Sequence, residues 1–369
     1  MALTQLIFHN FFSFVAIISV IVFIHEFGHF IVARWCGVKV EEFSLGFGRE
    51  LFGRVDKKGT RWKFCLLPFG GYVKMFGDRN GASMPDSEAV KKMSKADKKK
   101  SFLGKNVWQR MAIVLAGPVA NFLLAIVIFT FLFKSNGLNV IQPIVFEVLP
   151  ESAAFEAGLQ KGDKILAIDS KEVVDFDVMR AVVLKSADKE LLFKVARGES
   201  AFEIKITPRN QLRKDLFGDE VKMGTLGVTA VDFIHRDFNL AESFLQANRE
   251  TYKNSVAILQ ALGELITGQR SVKELGGPIK IAQYSGKTVT MGLDAVVWFV
   301  AMISLNLGVM NLLPVPVLDG GHLFFYVIEA IRGKPLSQKV QNIAFKCGLS
   351  LVLTLMAFTT LNDVWSLFK

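Results

Sequence analysis

Cysteine is scarce in this sequence. The chain of 369 residues contains three cysteines, Cys36, Cys65 and Cys347, and no Cys-x-x-Cys motif. An odd number of widely spaced cysteines argues against a disulfide framework and against a metal site built from thiolates.

Basic residues are absent before the first long apolar run, which covers roughly residues 8–32. A secretory signal peptide has a positively charged start, and a small-residue cleavage site follows its apolar stretch. This sequence has neither feature, and it carries a charged motif inside the run. We therefore predict that the run is retained as a helix.

Apolar residues are abundant and lie in blocks. They make up 51% of the chain, and four blocks approach or exceed the ~20 residues that cross a bilayer as a helix. One such block could be a buried core helix, but four of them indicate a polytopic α-helical membrane protein. We predict membrane helices at 1–33, 107–133, 293–318 and 346–369, with a loop at 319–345.

Positive charge is concentrated between the predicted membrane helices. The formal net charge is +10, and residues 34–105 contain seventeen Lys and Arg against eight Asp and Glu. A basic balance can indicate nucleic-acid binding, but basic loops beside membrane helices follow the positive-inside rule. We therefore expect the lipid bilayer, and no nucleic acid, as a partner. The rule places 34–106 and 319–345 in the cytoplasm, and both termini and residues 134–292 on the other side.

Residues 38–77 are rich in Gly, Phe and β-branched residues, with a turn signal at 56–59. This pattern predicts a β-hairpin within a 34–106 β region. The second arm, residues 62–74, is more apolar than an ordinary solvent-exposed loop. Non-helical backbone can lie at membrane depth only where protein or a water-filled cavity surrounds it. A β-element that dips into the membrane beside an active site and a plain surface hairpin are both consistent with these residues.

The sequence His25-Glu26-Phe27-Gly28-His29 lies inside the first apolar run. On a helix, this His-Glu-x-x-His spacing places both imidazoles on one face, where they can bind one Zn²⁺ with the glutamate as general base. A glutamate in a membrane helix costs roughly 2.5 kcal/mol or more, so its presence indicates a function. The alternative is a pair of histidines that reach the lipid headgroups from the end of a helix.

A catalytic zinc needs a third protein ligand and one open position. Asp319 is the leading candidate, because two prolines break the helix before it and two glycines after it let the backbone approach a metal closely. Asp319 could instead cap the next helix, and His322 is a rival ligand. Asn306 and Asn311 are costly in an apolar helix unless hydrogen-bonded, so they could hold a substrate, orient ligands or contact another helix.

These motifs resemble the site-2 protease family of intramembrane zinc metalloproteases, most closely its bacterial regulator of sigma-E protease branch. The resemblance covers nearly the whole chain and rests on residues 25–29, 70–75, 116–121 and 306–322. It implies one Zn²⁺ per chain on His25, His29 and Asp319, with Glu26 as the catalytic base.

The same resemblance implies residues that handle the substrate. Gly70, Gly71 and Tyr72 match the family's membrane-reentrant β-loop, and Asn306 and Asn311 match its substrate-contacting residues.

Residues 142–209 resemble a PDZ domain in its permuted bacterial form, from a Ser-Ala-Ala and a Gly-Asp-Lys-Ile-Leu signature. Some relatives carry two such domains, whereas this chain has room for one, followed by a helical region at 210–292. The expected fold is a polytopic α-helical membrane protein of about four transmembrane helices. It carries a membrane-associated β-hairpin and an extracytoplasmic PDZ-like α+β domain.

The resemblance implies peptide-bond hydrolysis in or near the bilayer of the bacterial inner membrane. The expected substrates are single-pass membrane proteins, such as an anti-sigma factor, or signal-peptide remnants. An upstream site-1-type protease would first remove the external domain. Two other classes stay open: an inactive PDZ-bearing scaffold, against which the intact Glu26 argues, and a zinc transporter. A transporter would need ligands along a path, and the external half offers only His9 and His235.

Overall fold

The computed structural model describes residues 3–77, 93–214, 220–230, 233–268 and 276–366. Contacts divide the chain into two compact units. The helical unit comprises Met1–Leu132 and Leu240–Lys369, and the inserted unit comprises Phe133–Asn239.

Ten helices lie in the described residues: α1 (Leu3–Trp35), α2 (Lys95–Lys100), α3 (Val107–Asn136), α4 (Ala153–Glu156), α5 (Phe176–Leu184), α6 (Leu240–Ile266), α7 (Pro278–Met291), α8 (Leu293–Asn311), α9 (Asp319–Arg332) and α10 (Gln338–Ser366). Four of them, α1, α3, α8 and α10, are long and apolar enough to cross a membrane. Their number matches the prediction, and the chain fits a polytopic helical membrane protein.

Twelve strands accompany them in the same residues: β1 (Val40–Val55), β2 (Arg61–Met75), β3 (Leu138–Ile141), β4 (Glu147–Val148), β5 (Lys164–Ile168), β6 (Lys171–Glu172), β7 (Leu191–Arg197), β8 (Ser200–Ile206), β9 (Arg209–Lys214), β10 (Glu220–Thr225), β11 (Val228–Thr229) and β12 (Phe233–Arg236). The first two belong to the helical unit and the other ten to the inserted unit.

The third membrane helix is shorter than the prediction of 293–318, because α8 ends at Asn311. Pro314 and Pro316 lack a backbone N–H, and each disfavours helical backbone in the residue before it. The chain therefore leaves the helix before these prolines, and residues 312–318 lie outside any helix.

The segment 319–345, predicted to be a loop, instead contains α9 and the start of α10. With 14 residues, α9 is too short to cross a bilayer, so a search for membrane-length runs misses it. Tyr326 is buried in the core and Leu323 packs against it. The helix ends at Gly333, which adopts the left-handed conformation that favours glycine. The fourth membrane helix accordingly begins at Gln338 rather than at 346.

The predicted hairpin is present, but β1 and β2 each bend, so the sheet contains four strand segments (ribbons) rather than two. Residues 42–45 pair on one side with 61–64 and on the other with 71–74, while 50–55 pair with 61–65. Gly46 and Gly48 have φ values of 88° and 86°, which permit β1 to bend between its halves. One outer ribbon of this sheet is therefore the 71–74 segment.

An aromatic core joins this sheet to α1. The Phe43 ring lies 5.5 Å from the Phe30 ring of α1 and 4.4 Å from the ring of Trp62. At the sheet's turn, Asp56 accepts hydrogen bonds from Arg34 at the end of α1 and from the Trp62 indole. The sheet is thereby held against the helix that carries the His-Glu-x-x-His motif.

The start of α7 is capped from the last helix. The Asp363 carboxylate of α10 accepts hydrogen bonds from the backbone N–H groups of Gly277, Ile279 and Lys280 at 3.0–3.1 Å. A carboxylate at a helix N-terminus satisfies unpaired N–H groups and complements the helix dipole. On the other side of α7, His9 of α1 donates to the Gly286 carbonyl at 3.1 Å. These bonds connect α1, α7 and α10.

The inserted unit is α+β and has its own hydrophobic core. Its main sheet is antiparallel with the order β6-β5-β7-β8. Phe193 and Val195 of β7 are fully buried in this core, to which α5 contributes Met179 and Val183. Asp163 is also fully buried and accepts two hydrogen bonds from the Arg197 guanidinium, each 2.7 Å long.

The boundaries of this unit differ from the predicted 142–209. β3 pairs with β12, β4 pairs with β11, and β9 pairs with β10. Residues 210–239, predicted to belong to a helical region at 210–292, therefore complete the inserted unit. Strand pairing between distant segments has no local signal, which explains the error. The helices of that region, α6 and α7, belong to the helical unit.

Candidate metal centre

Two histidines of α1 form one side of the site. His25 and His29 are both buried, and their Nε2 atoms are 3.3 Å apart. A spacing of four residues places the two side chains on one face of a helix. The structure thus brings together the two imidazoles that the sequence motif predicts.

Asp319 completes the group from the first residue of α9. Its Oδ2 atom lies 3.2 Å from His25 Nε2 and 3.6 Å from His29 Nε2. One potential ligand atom from each residue lies within 4.8 Å of the other two. Among the described residues, this is the one group of three such side chains that could hold a metal ion. His322, the rival ligand, is not a member of it.

The broken helix delivers Asp319 to this position. Val317 has a φ of 112°, an uncommon conformation for a β-branched residue. Gly320 and Gly321 lie so close to the preceding backbone that a Cβ atom on either would overlap it. The N-cap position of α9 is Leu318, without a side-chain cap. Asp319 therefore does not cap α9, which was the alternative role that the sequence left open.

The donor set fits a catalytic zinc ion. Two imidazole nitrogens and one carboxylate oxygen are ligands that Zn²⁺ takes, and three protein ligands leave a position open for water or substrate. The Oδ2 atom of Asp319 is buried and has no hydrogen-bond partner. A buried carboxylate oxygen without a partner is costly, and a cation between the three residues would supply that partner.

Helix α3 closes the site behind the histidines. The Nδ1 atom of His29 donates to the Ile113 carbonyl at 2.9 Å, and the Asn121 carboxamide lies 3.1 Å from His25 Nδ1. A Cβ atom on Gly117 would lie 2.9 Å from His25 Cε1, so only glycine at this position of α3 leaves room for the two imidazole rings. The sequence marked residues 116–121 only as part of a family resemblance. The sequence did contain one signal for Asn121, because an amide side chain in an apolar helix is costly unless it has a hydrogen-bond partner.

Glu26 follows His25 on α1 and is half-buried. A Cβ atom on Gly71 would lie 2.9 Å from Glu26 Cγ, so the backbone of the outer sheet ribbon passes directly beside the glutamate. The predicted general base and the predicted β-loop are therefore neighbours.

Tyr72, beside Gly71, is held within the sheet. Its hydroxyl donates to Glu42 at 3.0 Å and accepts from Lys63 at 3.3 Å. Its ring stacks on Phe47 with centroids 6.1 Å apart. Gly70, with a φ of 144°, also packs against the ring of Phe47. These contacts shape the ribbon, and the predicted roles of Gly70, Gly71 and Tyr72 in substrate binding stay predictions.

The two asparagines of α8 lie outside the metal group. Asn306 is exposed, and Asn311, the last residue of the helix, is half-buried. The exposure of Asn306 argues against the alternative of a satisfied contact between helices. A role for either residue in substrate contact stays a prediction.

An ion pair between the buried Arg110 and the half-buried Glu329 anchors the helix that carries Asp319. Arg110 of α3 donates to Glu329 of α9 at 2.6 Å, and its guanidinium lies 4.8 Å from the Tyr326 ring. Because α9 is a short element, these contacts restrict its position relative to α3.

Comparison with known proteins identifies the family. A model described as Peptidase family M50 matches residues 13–355, which include every member of the metal group. A protein of Agrobacterium fabrum, named provisionally as a zinc metalloprotease, is 42% identical over 358 residues, covering 96% of this chain and 95% of that protein. The metalloprotease MmpA of Caulobacter vibrioides is 35% identical over 382 residues, covering 97% and 96% respectively. The chain therefore belongs to peptidase family M50, the site-2 protease family.

Proposed function

We propose that this protein is a membrane-embedded zinc metalloendopeptidase that cleaves single-pass membrane proteins. The observation that carries the proposal is the buried group of His25, His29 and Asp319, two of whose members lie inside a helix long enough to cross a bilayer. A site at this depth meets peptide bonds that soluble proteases do not reach. The names of the relatives, which designate metalloproteases, support the same chemistry.

The residues of the site divide the chemistry between them. A zinc ion on His25, His29 and Asp319 would supply Lewis-acid chemistry, lowering the pKa of a water molecule and polarising the scissile carbonyl. Glu26 accepts a proton from the attacking water and later delivers it to the amine nitrogen that leaves. The C–O bond forms and the C–N bond breaks, so one water is consumed for each bond cut.

The sheet supplies a place for an extended substrate. A transmembrane helix hides its amide bonds and must unwind before cleavage. No other described strand pairs with the outer side of the 71–74 ribbon, which lies beside Glu26. An unwound segment could add to this ribbon as a further strand. The distal part of the sheet exposes apolar side chains, including Phe52, Phe64 and Leu66, which suits an element at membrane depth.

The first test uses Glu26→Gln, which keeps the side-chain size but removes the base. We expect zinc content to stay at the wild-type level while cleavage of a transmembrane peptide falls by about 10²–10⁴-fold. A zinc chelator should stop the wild-type enzyme. Wild-type turnover by the variant would refute the mechanism.

The inserted unit is proposed to be a PDZ-like filter on the extracytoplasmic side. A cavity of about 560 Å³ beside β4 is lined in part by Phe146, Phe155, Leu159 and Lys161, and a peptide tail could dock there. The unit could instead exclude substrates by its bulk, and of these two roles we favour exclusion.

A deletion separates the two roles. Because β3 and β12 pair, residues 142–232 can be deleted and replaced by a short turn. Exclusion predicts that the deleted enzyme cuts substrates with intact external domains. Slower cutting of trimmed substrates alone would instead indicate tail capture.

The biological setting follows from the same proposal. The enzyme would act in regulated intramembrane proteolysis in the bacterial inner membrane, on an anti-sigma factor or a signal-peptide remnant, after a site-1-type protease. Single cysteines at Ser83 and Ser200, in a chain without the native cysteines, test the topology. An impermeant thiol reagent on spheroplasts should label position 200 and not position 83. The reverse labelling would invert the topology.

A further inference from the structure

Asn121 is a fully buried amide in the middle of α3. Its Nδ2 atom lies 3.1 Å from His25 Nδ1, while its Oδ1 atom is buried and has no hydrogen-bond partner. Its backbone carbonyl accepts a hydrogen bond from the Ser304 hydroxyl at 3.0 Å. Burying a carboxamide costs free energy unless its polar atoms have hydrogen-bond partners.

The chemistry of the histidines specifies what that partner must be. A neutral imidazole carries one proton, on Nδ1 or on Nε2. The Nε2 atoms of His25 and His29 face Asp319, so as metal ligands both rings must carry their proton on Nδ1. For His29 the acceptor is the Ile113 carbonyl, which cannot donate, so the required tautomer is secured. The group in the same position at His25 is the Asn121 carboxamide.

Only one orientation of that carboxamide serves a metal ligand. Its oxygen and nitrogen ends are nearly equal in size, and a rotation of about 180° exchanges them. With Nδ2 toward the ring, His25 Nδ1 must accept, and the ring proton lies on Nε2. With Oδ1 toward the ring, Nδ1–H donates and the Nε2 lone pair is available. Because Oδ1 has no partner, the rotation breaks no hydrogen bond at that end.

We propose that Asn121 is a positioning residue whose Oδ1 accepts a hydrogen bond from His25 Nδ1–H and holds the ring in its metal-binding tautomer. Helix α3 then orients both histidines, one through Ile113 and the other through Asn121. The inference rests on the metal-binding role of His25 in the proposed function. Partners of this kind typically contribute 10–100-fold to metal affinity.

Two substitutions separate this role from packing. Asn121→Leu keeps the volume but removes the acceptor, and we expect about 10–100-fold weaker zinc binding. Asn121→Asp keeps an acceptor at the same place, and we expect affinity at least equal to wild type, because a carboxylate partner makes the imidazole a stronger ligand. Ser304→Ala is the matched control: it removes the neighbouring buried hydrogen bond to Asn121 but leaves the carboxamide, and zinc binding should not change.

The measurement is zinc affinity of the purified full chain in detergent, by competition with a chromogenic chelator, so it does not depend on proteolysis. Excess zinc should restore cleavage by Asn121→Leu but not by Glu26→Gln. If Asn121→Leu does not accumulate, Asn121→Ala carries the same expectation.

A side chain that only fills space would give the opposite order, with Leu tolerated and the buried carboxylate harmful. Wild-type affinity in Asn121→Leu, or equal losses in both variants, would overturn the proposal. His25→Ala distinguishes the failures: if it too binds zinc like wild type, the metal site itself is wrong.

Discussion

Substitution of Gly117 by alanine tests the geometry of the metal site directly. A Cβ atom at this position of α3 would lie 2.5 Å from His29 Cε1 and 2.9 Å from His25 Cε1. The Nε2 atom of His29 would lie closer still. Ordinary van der Waals contact begins at 3.4 Å, so the His29 ring would have to retreat by more than about 0.9 Å. Metal–ligand distances tolerate deviations of only about 0.2 Å. One imidazole therefore cannot keep its place as a ligand.

We expect Gly117→Ala to weaken zinc binding by at least about 100-fold, because displacing a ligand costs more than losing its hydrogen-bond partner. Helix stability cannot account for such a loss, since alanine is favoured over glycine in a helix by about 0.8–1.0 kcal/mol. Chelator competition on the purified chain gives the affinity, and the thermal unfolding midpoint without zinc reports the fold.

Gly263→Ala is the matched control. Gly263 lies in α6, and a Cβ atom there meets nothing within 4 Å. This variant should gain a little helix stability and bind zinc like wild type. Wild-type affinity in Gly117→Ala would refute the arrangement of the two rings against α3.

Three further expectations concern other parts of the molecule. Asp319→Ala should lose zinc and cleavage while His322→Ala keeps zinc, and metal analysis with the opposite result would make His322 the ligand. Glu329→Gln, which weakens the ion pair between α9 and α3, should raise the zinc dissociation constant more than it lowers kcat at saturating zinc. If kcat alone falls, the pair does not position the ligand. Burial would raise the pKa of the Asp163 carboxyl, but hydrogen bonds from Arg197 and a backbone amide lower it more, so the pKa lies below its usual value. The carboxylate thus stabilises the fold above the unfolded pKa of about 3.9, and this stability is lost as the pH falls through the folded value. Asp163→Asn should lower the free energy of unfolding by about 1–3 kcal/mol at pH 7 and reduce the acid sensitivity of thermal unfolding. An unchanged dependence of the unfolding midpoint on pH would contradict this expectation.

The chemistry of the site was largely readable in the sequence. The two histidines could bind one ion because a spacing of four residues is one helical turn, a local relation that needs no tertiary structure. Asp319 was predictable because prolines and glycines bracket it. The four helices that are long and apolar enough to cross a membrane were predictable because a bilayer sets the length and composition of such helices.

Other features depend on which segments meet in space. The four-ribbon pairing of β1 and β2, the extension of the inserted unit to residue 239, and the short α9 each depend on contacts between residues far apart in the chain. Composition within a window carries no record of such contacts.

The surroundings of the metal ligands show the division most clearly. By itself the sequence determined the metal-ligand residue types and their periodicity, because these follow from local backbone geometry and the chemistry of side chains. Only the tertiary structure decided that Gly117 and Asn121 of α3 lie against His29 and His25. That contact arises from the packing of two helices whose residues are separated by about ninety positions, and the close approach of their backbones selects a glycine at one point and an amide at the next turn.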